Sequence, residues 1–146
     1  MNQTSPALRV MIIDDHTLFR RGLAELLDHR GIDVVAAVGD GETGWRVAQE
    51  LRPDIILLDL RMPQVDGLSV LERLVETLPG TPVVMLTTSD DDRDLVEALR
   101  AGTRGYLLKD MEPDQLVGSL AEVMAGKTVV APDMTSALAQ AVQGEE

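Results

Sequence analysis

The chain has 146 residues, a mass of 15.8 kDa and a net charge of −12, from 25 acidic against 13 basic side chains. That length suits about one domain with its own core, and so acidic a surface does not grip nucleic acid or anionic lipid unaided, because both demand Lys and Arg against phosphate. The absence of cysteine excludes disulfides, thiolate metal sites and cysteine nucleophiles; it fits a reducing compartment, and a cytoplasmic location is expected.

Residues 1–6 lack a basic region followed by an apolar run, so they are not expected to be a secretory signal. A first strand is predicted over 8–13. Phe19, Leu23, Leu26 and Leu27 then share one helical face, ended by Gly31. A strand over 32–38 precedes a short helix through Val47, Ala48 and Leu51, stopped at Pro53. A strand over 55–58 is followed by a helix carrying Leu68, Leu71, Val75 and Leu78. A strand over 83–86 leads into a helix around Leu95 and Leu99. A last strand over 105–108 precedes a helix with Leu116, Leu120 and Val123, ended by Gly126. Ile55-Ile56-Leu57-Leu58 and Val83-Val84-Met85-Leu86 are apolar throughout, as strands buried on both faces are. No run approaches the roughly 18 apolar residues of a membrane span.

Strand and helix alternating five times predict an α/β fold. The expectation is a five-stranded parallel sheet with helices on both faces, in the flavodoxin-like order 2-1-3-4-5. Residues 1–126 form that domain. Residues 127–146 are expected to be a linker or tail helix, with Pro132 in a first turn and a weak apolar stripe of Ala137, Leu138, Ala141 and Val142.

Ligands of an open parallel sheet bind beyond the carboxyl ends of its strands, near the reversal of strand order. Asp14 and Asp15 follow the first strand and Asp59 the third, and these two strands are neighbours at the reversal. Thr87 and Thr88 end the fourth strand, and Lys109 follows the fifth. Three carboxylates in one crevice do not all ionise cheaply; a pKa rises or a cation binds. With oxygen donors and no cysteine or histidine cluster, the fitting ion is Mg²⁺ or a similar hard cation. Asp59 is the best-placed nucleophile toward phosphorus. Lys109 would offset phosphoryl charge and Thr87 would donate a hydrogen bond.

Asp14-Asp15, Asp59-Leu60-Arg61-Met62-Pro63-Gln64-Val65-Asp66-Gly67, Thr87-Thr88 and Gly105-Tyr106-Leu107-Leu108-Lys109 together resemble the receiver domain of two-component response regulators. Asp14-Asp15-His16 with Leu107-Leu108-Lys109-Asp110 resembles the NarL/FixJ branch. The resemblance covers residues 8–126. It implies that Asp59 is both the phosphoacceptor and a Mg²⁺ ligand and that Asp15 ligates Mg²⁺ directly, with Asp14 acting through water and the Arg61 carbonyl as a further ligand. It implies that Thr87 is the switch hydroxyl, Lys109 the phosphate-binding lysine and Tyr106 the aromatic that turns inward upon activation. It also implies a sensor histidine kinase as phosphoryl donor and a homodimer tightened by phosphorylation. DNA would be reached only through a helix-turn-helix output domain absent from this chain. Many such domains carry proline after the lysine, joined by a cis peptide. Asp110 stands there, so either the bond is cis at a cost of about 2.5–4 kcal/mol or the loop differs.

Other readings are weaker. Gly39-Asp40-Gly41-Glu42-Thr43-Gly44 matches a dinucleotide-binding pattern, but it follows the second strand, at the sheet edge, and its two acids would repel a pyrophosphate. A flavin phosphate would meet Asp14-Asp15. A Mg²⁺-dependent phosphohydrolase would usually place an acid two residues after Asp59, where Arg61 stands. A pseudo-receiver acting only as an interaction module stays open. His16, beside the acidic pair, is expected to be a solvated loop residue, with metal ligation as the lesser alternative.

Overall fold

The computed structural model describes residues 7–62, 66–136 and 139. Strands β1 (Arg9–Ile13), β2 (Asp33–Val38), β3 (Ile55–Leu58), β4 (Val83–Thr87) and β5 (Gly105–Leu108) alternate with helices α1 (Thr17–His29), α2 (Gly41–Leu51), α3 (Gly67–Thr77), α4 (Asp92–Arg100) and α5 (Pro113–Met124). The sheet is parallel and runs β2-β1-β3-β4-β5, as predicted, and then continues into a sixth strand, β6 (Val129–Val130). The five-strand expectation is corrected on this point. Tertiary pairing explains it. Gly126, at φ 97°, turns the chain back after α5, and Val129 and Val130 pair with Gly105 and Tyr106 on the open side of β5.

The core forms two layers because consecutive strand residues face opposite sides of the sheet. Met11, Ile13, Ile56, Leu58 and Met85 pack under α2, α3 and α4, joined by Leu71, Leu74 and Leu95. Val10, Ile12, Ile55 and Leu57 pack under α1 and α5, against Leu23, Leu27, Leu116 and Leu120. Every residue of β3, β4 and β5 is buried, which is why those strands show unbroken apolar runs. Each large side chain so buried contributes about 1.5–3 kcal/mol.

Helix starts are locally encoded. The Asp40 carboxylate accepts the Thr43 N–H at 2.8 Å, Asp66 accepts from Leu68 at 3.2 Å, and Asp91 accepts from Arg93 at 2.9 Å. These caps satisfy donors left over in a first turn. Within the dinucleotide-like pattern, Gly44 has a packing role. A Cβ there would sit 2.6 Å from Ile13 Cδ1.

The segment read as linker or tail helix contains β6 and then a 3₁₀ turn, Pro132–Met134, with Pro132 in its first turn. Ala131 and Met134 are buried in the layer that holds Tyr106. The stripe Ala137, Leu138, Ala141 and Val142, and Pro63 to Val65 of the loop after Asp59, lie outside the described residues. No helix among the described residues is long and apolar enough to cross a membrane.

Candidate phosphoacceptor and cation site

Register brings the acids together. Ile13 pairs with Leu58, so the next residues, Asp14 and Asp59, leave neighbouring strands side by side. The Asp59 N–H donates to the Ile13 carbonyl at 2.9 Å. Both carboxylates are buried at 2% exposure. Asp15 is half-buried, and its Oδ1 is a buried atom with no hydrogen-bond partner among the described residues.

Lys109 enters from β5. Its N–H donates to the Thr87 carbonyl at 2.9 Å. Its ammonium lies 2.8 Å from Asp14 Oδ2 and 3.4 Å from Asp59 Oδ2. The Phe19 ring flanks it, with Nζ 4.5 Å from the ring centroid, a cation–π distance. Burial first, and the Asp14 charge second, push the Asp59 carboxyl above the usual carboxylate range; Lys109 opposes both. The described peptide bonds are all trans, Lys109–Asp110 included, so the loop with Asp110 carries no cis strain.

Thr87 is fully buried, and its Oγ1 accepts the Ser89 N–H at 3.2 Å. Thr88 is exposed and lines a shallow depression with Asp90, Lys109 and Asp110, to one side of the carboxylates. Tyr106 is 0% exposed. Its hydroxyl donates to the Ser89 carbonyl at 2.9 Å, and burial above all pushes its pKa up to about 12. Arg61 donates its N–H to Asp59 Oδ1 at 3.3 Å, which holds its backbone against the site. Its guanidinium is directed elsewhere, to Asp94 at 2.6 Å, and Asp94 also accepts from the Ser89 hydroxyl.

The expectation of a solvated loop histidine at His16 agrees with its place before α1 and its exposed side chain. Its ring is 58% exposed, yet Nδ1 lies 3.2 Å from Asp14 Oδ1, 3.5 Å from Asp15 Oδ1 and 3.6 Å from Asp59 Oδ2. Phe19 was legible only as a helix-face residue. The signal for both was their place at the start of α1, directly after the acid pair and so beside the sheet end.

Asp14, Asp15, His16 and Asp59 each offer one donor atom, all within 4.8 Å of one another. Two buried carboxylates share the one Lys109 ammonium, and Asp15 Oδ1 is buried with no hydrogen-bond partner among the described residues, so the donor set fits a hard divalent cation. Chemically, the Asp59 oxygen can attack phosphorus while Lys109 balances the charge that is brought in.

The response regulator receiver domain family model matches residues 10–121. The nitrate/nitrite response regulator protein NarL of Escherichia coli (strain K12) is 39% identical over 144 residues, covering 98% of this chain and 66% of that protein. The transcriptional regulatory protein LnrK of Bacillus subtilis (strain 168) is 40% identical over 130 residues, covering 88% of this chain and 59% of its own length. The chain thus spans about three-fifths to two-thirds of these relatives. Among solved structures, a two-component response regulator of the LuxR family from Aurantimonas sp. SI85-9A1 aligns with a TM-score of 0.86 at 28% identity, over 92% of this chain and 96% of that one. The signal receiver domain of NarL from Mycobacterium tuberculosis aligns with a TM-score of 0.79 at 31% identity, over 84% of this chain and 100% of that one. Sequence, topology and the placement of the acids at the strand ends agree, and this chain belongs to the response regulator receiver domain family, with NarL-type regulators as its relatives.

Proposed function

We propose that this chain takes a phosphoryl group onto Asp59 from a phosphohistidine of a sensor histidine kinase and passes the change on to an output. The observation that carries this reading is the buried Asp59 carboxylate beside Asp14, with the Lys109 ammonium within reach of both. An Asp59 oxygen attacks phosphorus; the new O–P bond forms as the P–N bond to the donor imidazole breaks, and the electron pair leaves with that imidazole. Lys109 then shifts its charge from carboxylates to phosphoryl oxygens. Asp14, Asp15, Asp59 and the Arg61 carbonyl would hold Mg²⁺, which would supply charge neutralisation at the transferring group.

Thr87, Thr88, Tyr106 and Lys109 form the responding set. A phosphoryl group brings strong acceptor oxygens, which draw the Thr87 hydroxyl away from the Ser89 N–H. Ser89 is also the partner of Tyr106, so the strand-end threonine and the buried ring answer the same event. The domain is a signalling acceptor and not a turnover enzyme; Arg61, two residues beyond Asp59, leaves no acid–base partner there. Two relatives, LnrK and YdfI of Bacillus subtilis (strain 168), are named as transcriptional regulatory proteins, and the chain spans 59% and 64% of them. We therefore assign the output to transcription through a DNA-binding domain outside this sequence, and expect phosphorylation to tighten a homodimer.

Incubation with acetyl phosphate and Mg²⁺ tests the reading. One base-labile phosphoryl group per chain, absent in Asp59→Asn, supports it. Sustained turnover would instead make the chain a Mg²⁺-dependent phosphohydrolase, and no label would make it an interaction module. Light scattering with and without a phosphoryl mimic reads the dimer; an unchanged mass overturns that part.

A further inference from the structure

His16 is the residue that the site's acids do not explain. Its backbone N–H donates to Asp14 Oδ1 at 2.8 Å, which fixes the Cα beside the acid pair. With its ring 58% exposed, the side chain has open water available. Nδ1 nonetheless stands 3.2–3.6 Å from one oxygen each of Asp14, Asp15 and Asp59. An octahedral ion with donors at about 2.0–2.1 Å sets neighbouring donors roughly 3 Å apart and opposite ones roughly 4 Å apart. The contacts of Nδ1, at 3.2–3.6 Å, lie between these two spacings, and the four donor atoms are all within 4.8 Å of one another.

Nδ1 also lies 3.2 Å from Lys109 Nζ. With the ring proton on Nε2, Nδ1 presents a lone pair to the volume these groups share. Asp15 Oδ1, at 3.5 Å from the same nitrogen, is the orphaned oxygen. Nitrogen and orphaned oxygen therefore face the same small volume.

We propose that His16 supplies a nitrogen ligand to the cation held by Asp14, Asp15 and Asp59, making an O₃N site that favours first-row transition ions such as Co²⁺ over Mg²⁺. This rests on the cation-site reading above. Carboxylates and water suit Mg²⁺, whereas imidazole suits the later divalent metals, and affinity at such sites rises from Mn²⁺ through Co²⁺ to Ni²⁺. His16 adds selectivity to a site that three acids alone would leave to hard ions.

Calorimetric titration of the full chain with Co²⁺ and with Mg²⁺ at fixed pH tests this. In His16→Ala the ratio of Co²⁺ to Mg²⁺ affinity should fall about tenfold or more, the scale on which single groups tune metal affinity. His29→Gln, at the far end of α1, should leave the ratio unchanged. Pulsed EPR of the Mn²⁺-loaded chain should show a directly coordinated nitrogen that vanishes in His16→Ala. An unchanged ratio, equal losses for both ions, or no nitrogen coupling overturns the ligand role while leaving Asp59 labelling by acetyl phosphate intact. A wild-type chain that binds neither ion overturns the cation site and this inference together.

Discussion

The Tyr106 hydroxyl and the Ser89 carbonyl are 2.9 Å apart, and this bond ties the buried ring of β5 to the loop after β4. Ser89 is held from its other end as well, because its N–H donates to Thr87 Oγ1. One peptide segment is therefore gripped by two hydroxyls from adjacent strands. Tyr106 is the single tyrosine of the chain, so its titration is directly readable by near-ultraviolet absorbance. Burial holds the neutral form, and the pKa is pushed up to about 12 from 10.0. The stability this contributes is complete below pH 10 and is lost as pH rises from about 10 to about 12. The absorbance midpoint should fall near 12 in the folded chain; a midpoint near 10 in chain that is still folded would refute the burial. Tyr106→Phe should cost about 1 kcal/mol, and Tyr106→Ala about 3–5 kcal/mol.

Lys109→Met keeps most of the apolar stem and removes the charge between Asp14 and Asp59. In chelator, two buried carboxylates would then face each other without a cation, a loss of about 3–5 kcal/mol. Mg²⁺ should recover much of that loss, since binding to the folded state adds stability by mass action. Denaturant unfolding with and without Mg²⁺ measures it. An equal loss in both conditions would show that Lys109 does not neutralise this pair.

Asp59→Asn should stabilise the chain when no divalent ion is present. The raised Asp59 carboxyl means that the fold disfavours its ionised form. Its favourable contribution is full below the unfolded pKa and lost as pH rises through the raised folded value. At neutral pH the wild type therefore carries a penalty that asparagine lacks. A melting temperature higher by a few degrees is expected in chelator, the scale of about 1 kcal/mol at this chain length, with the gap closing in Mg²⁺. Calorimetry showing no gap in chelator would count against the crowding of these acids.

Gly67→Ala should disturb the site through the backbone. A Cβ there would lie 2.4 Å from the Leu60 carbonyl oxygen and 2.7 Å from that of Asp59. Neither can yield without moving the loop that follows β3. A loss of about 1–3 kcal/mol is expected, with weaker Mg²⁺ binding because Asp59 moves too. Gly22→Ala is the control: nothing lies within 4 Å of a Cβ there, inside α1, so a gain of about 0.5–1 kcal/mol is expected. Thermal unfolding of the two variants should move in opposite directions.

The strands of the sheet were legible because β3, β4 and β5 are covered on both faces and leave unbroken apolar runs. The acid cluster was legible because strand order alone decides which loop starts become neighbours. β6 was not, since two valines carry no periodicity and become a strand only through the open side of β5. The approach of His16 to Asp59 was not legible for a related reason. A histidine after two acids has no local preference for turning inward, and its approach to Asp59 depends on β3 lying beside β1. The Gly39–Gly44 pattern misleads in the opposite way: its last glycine answers Ile13 in the core and no ligand.

The two-residue length of β6 sets how this sheet meets other molecules. Ala131 N–H donates to the Tyr106 carbonyl at 2.8 Å, and the next residue, Pro132, has no N–H to offer. The chain then turns away at once. Strand addition from a second molecule needs a row of free backbone donors and acceptors, and here the row is blunted after one short rung. On this side of the sheet, partners are left with side chains to read rather than backbone.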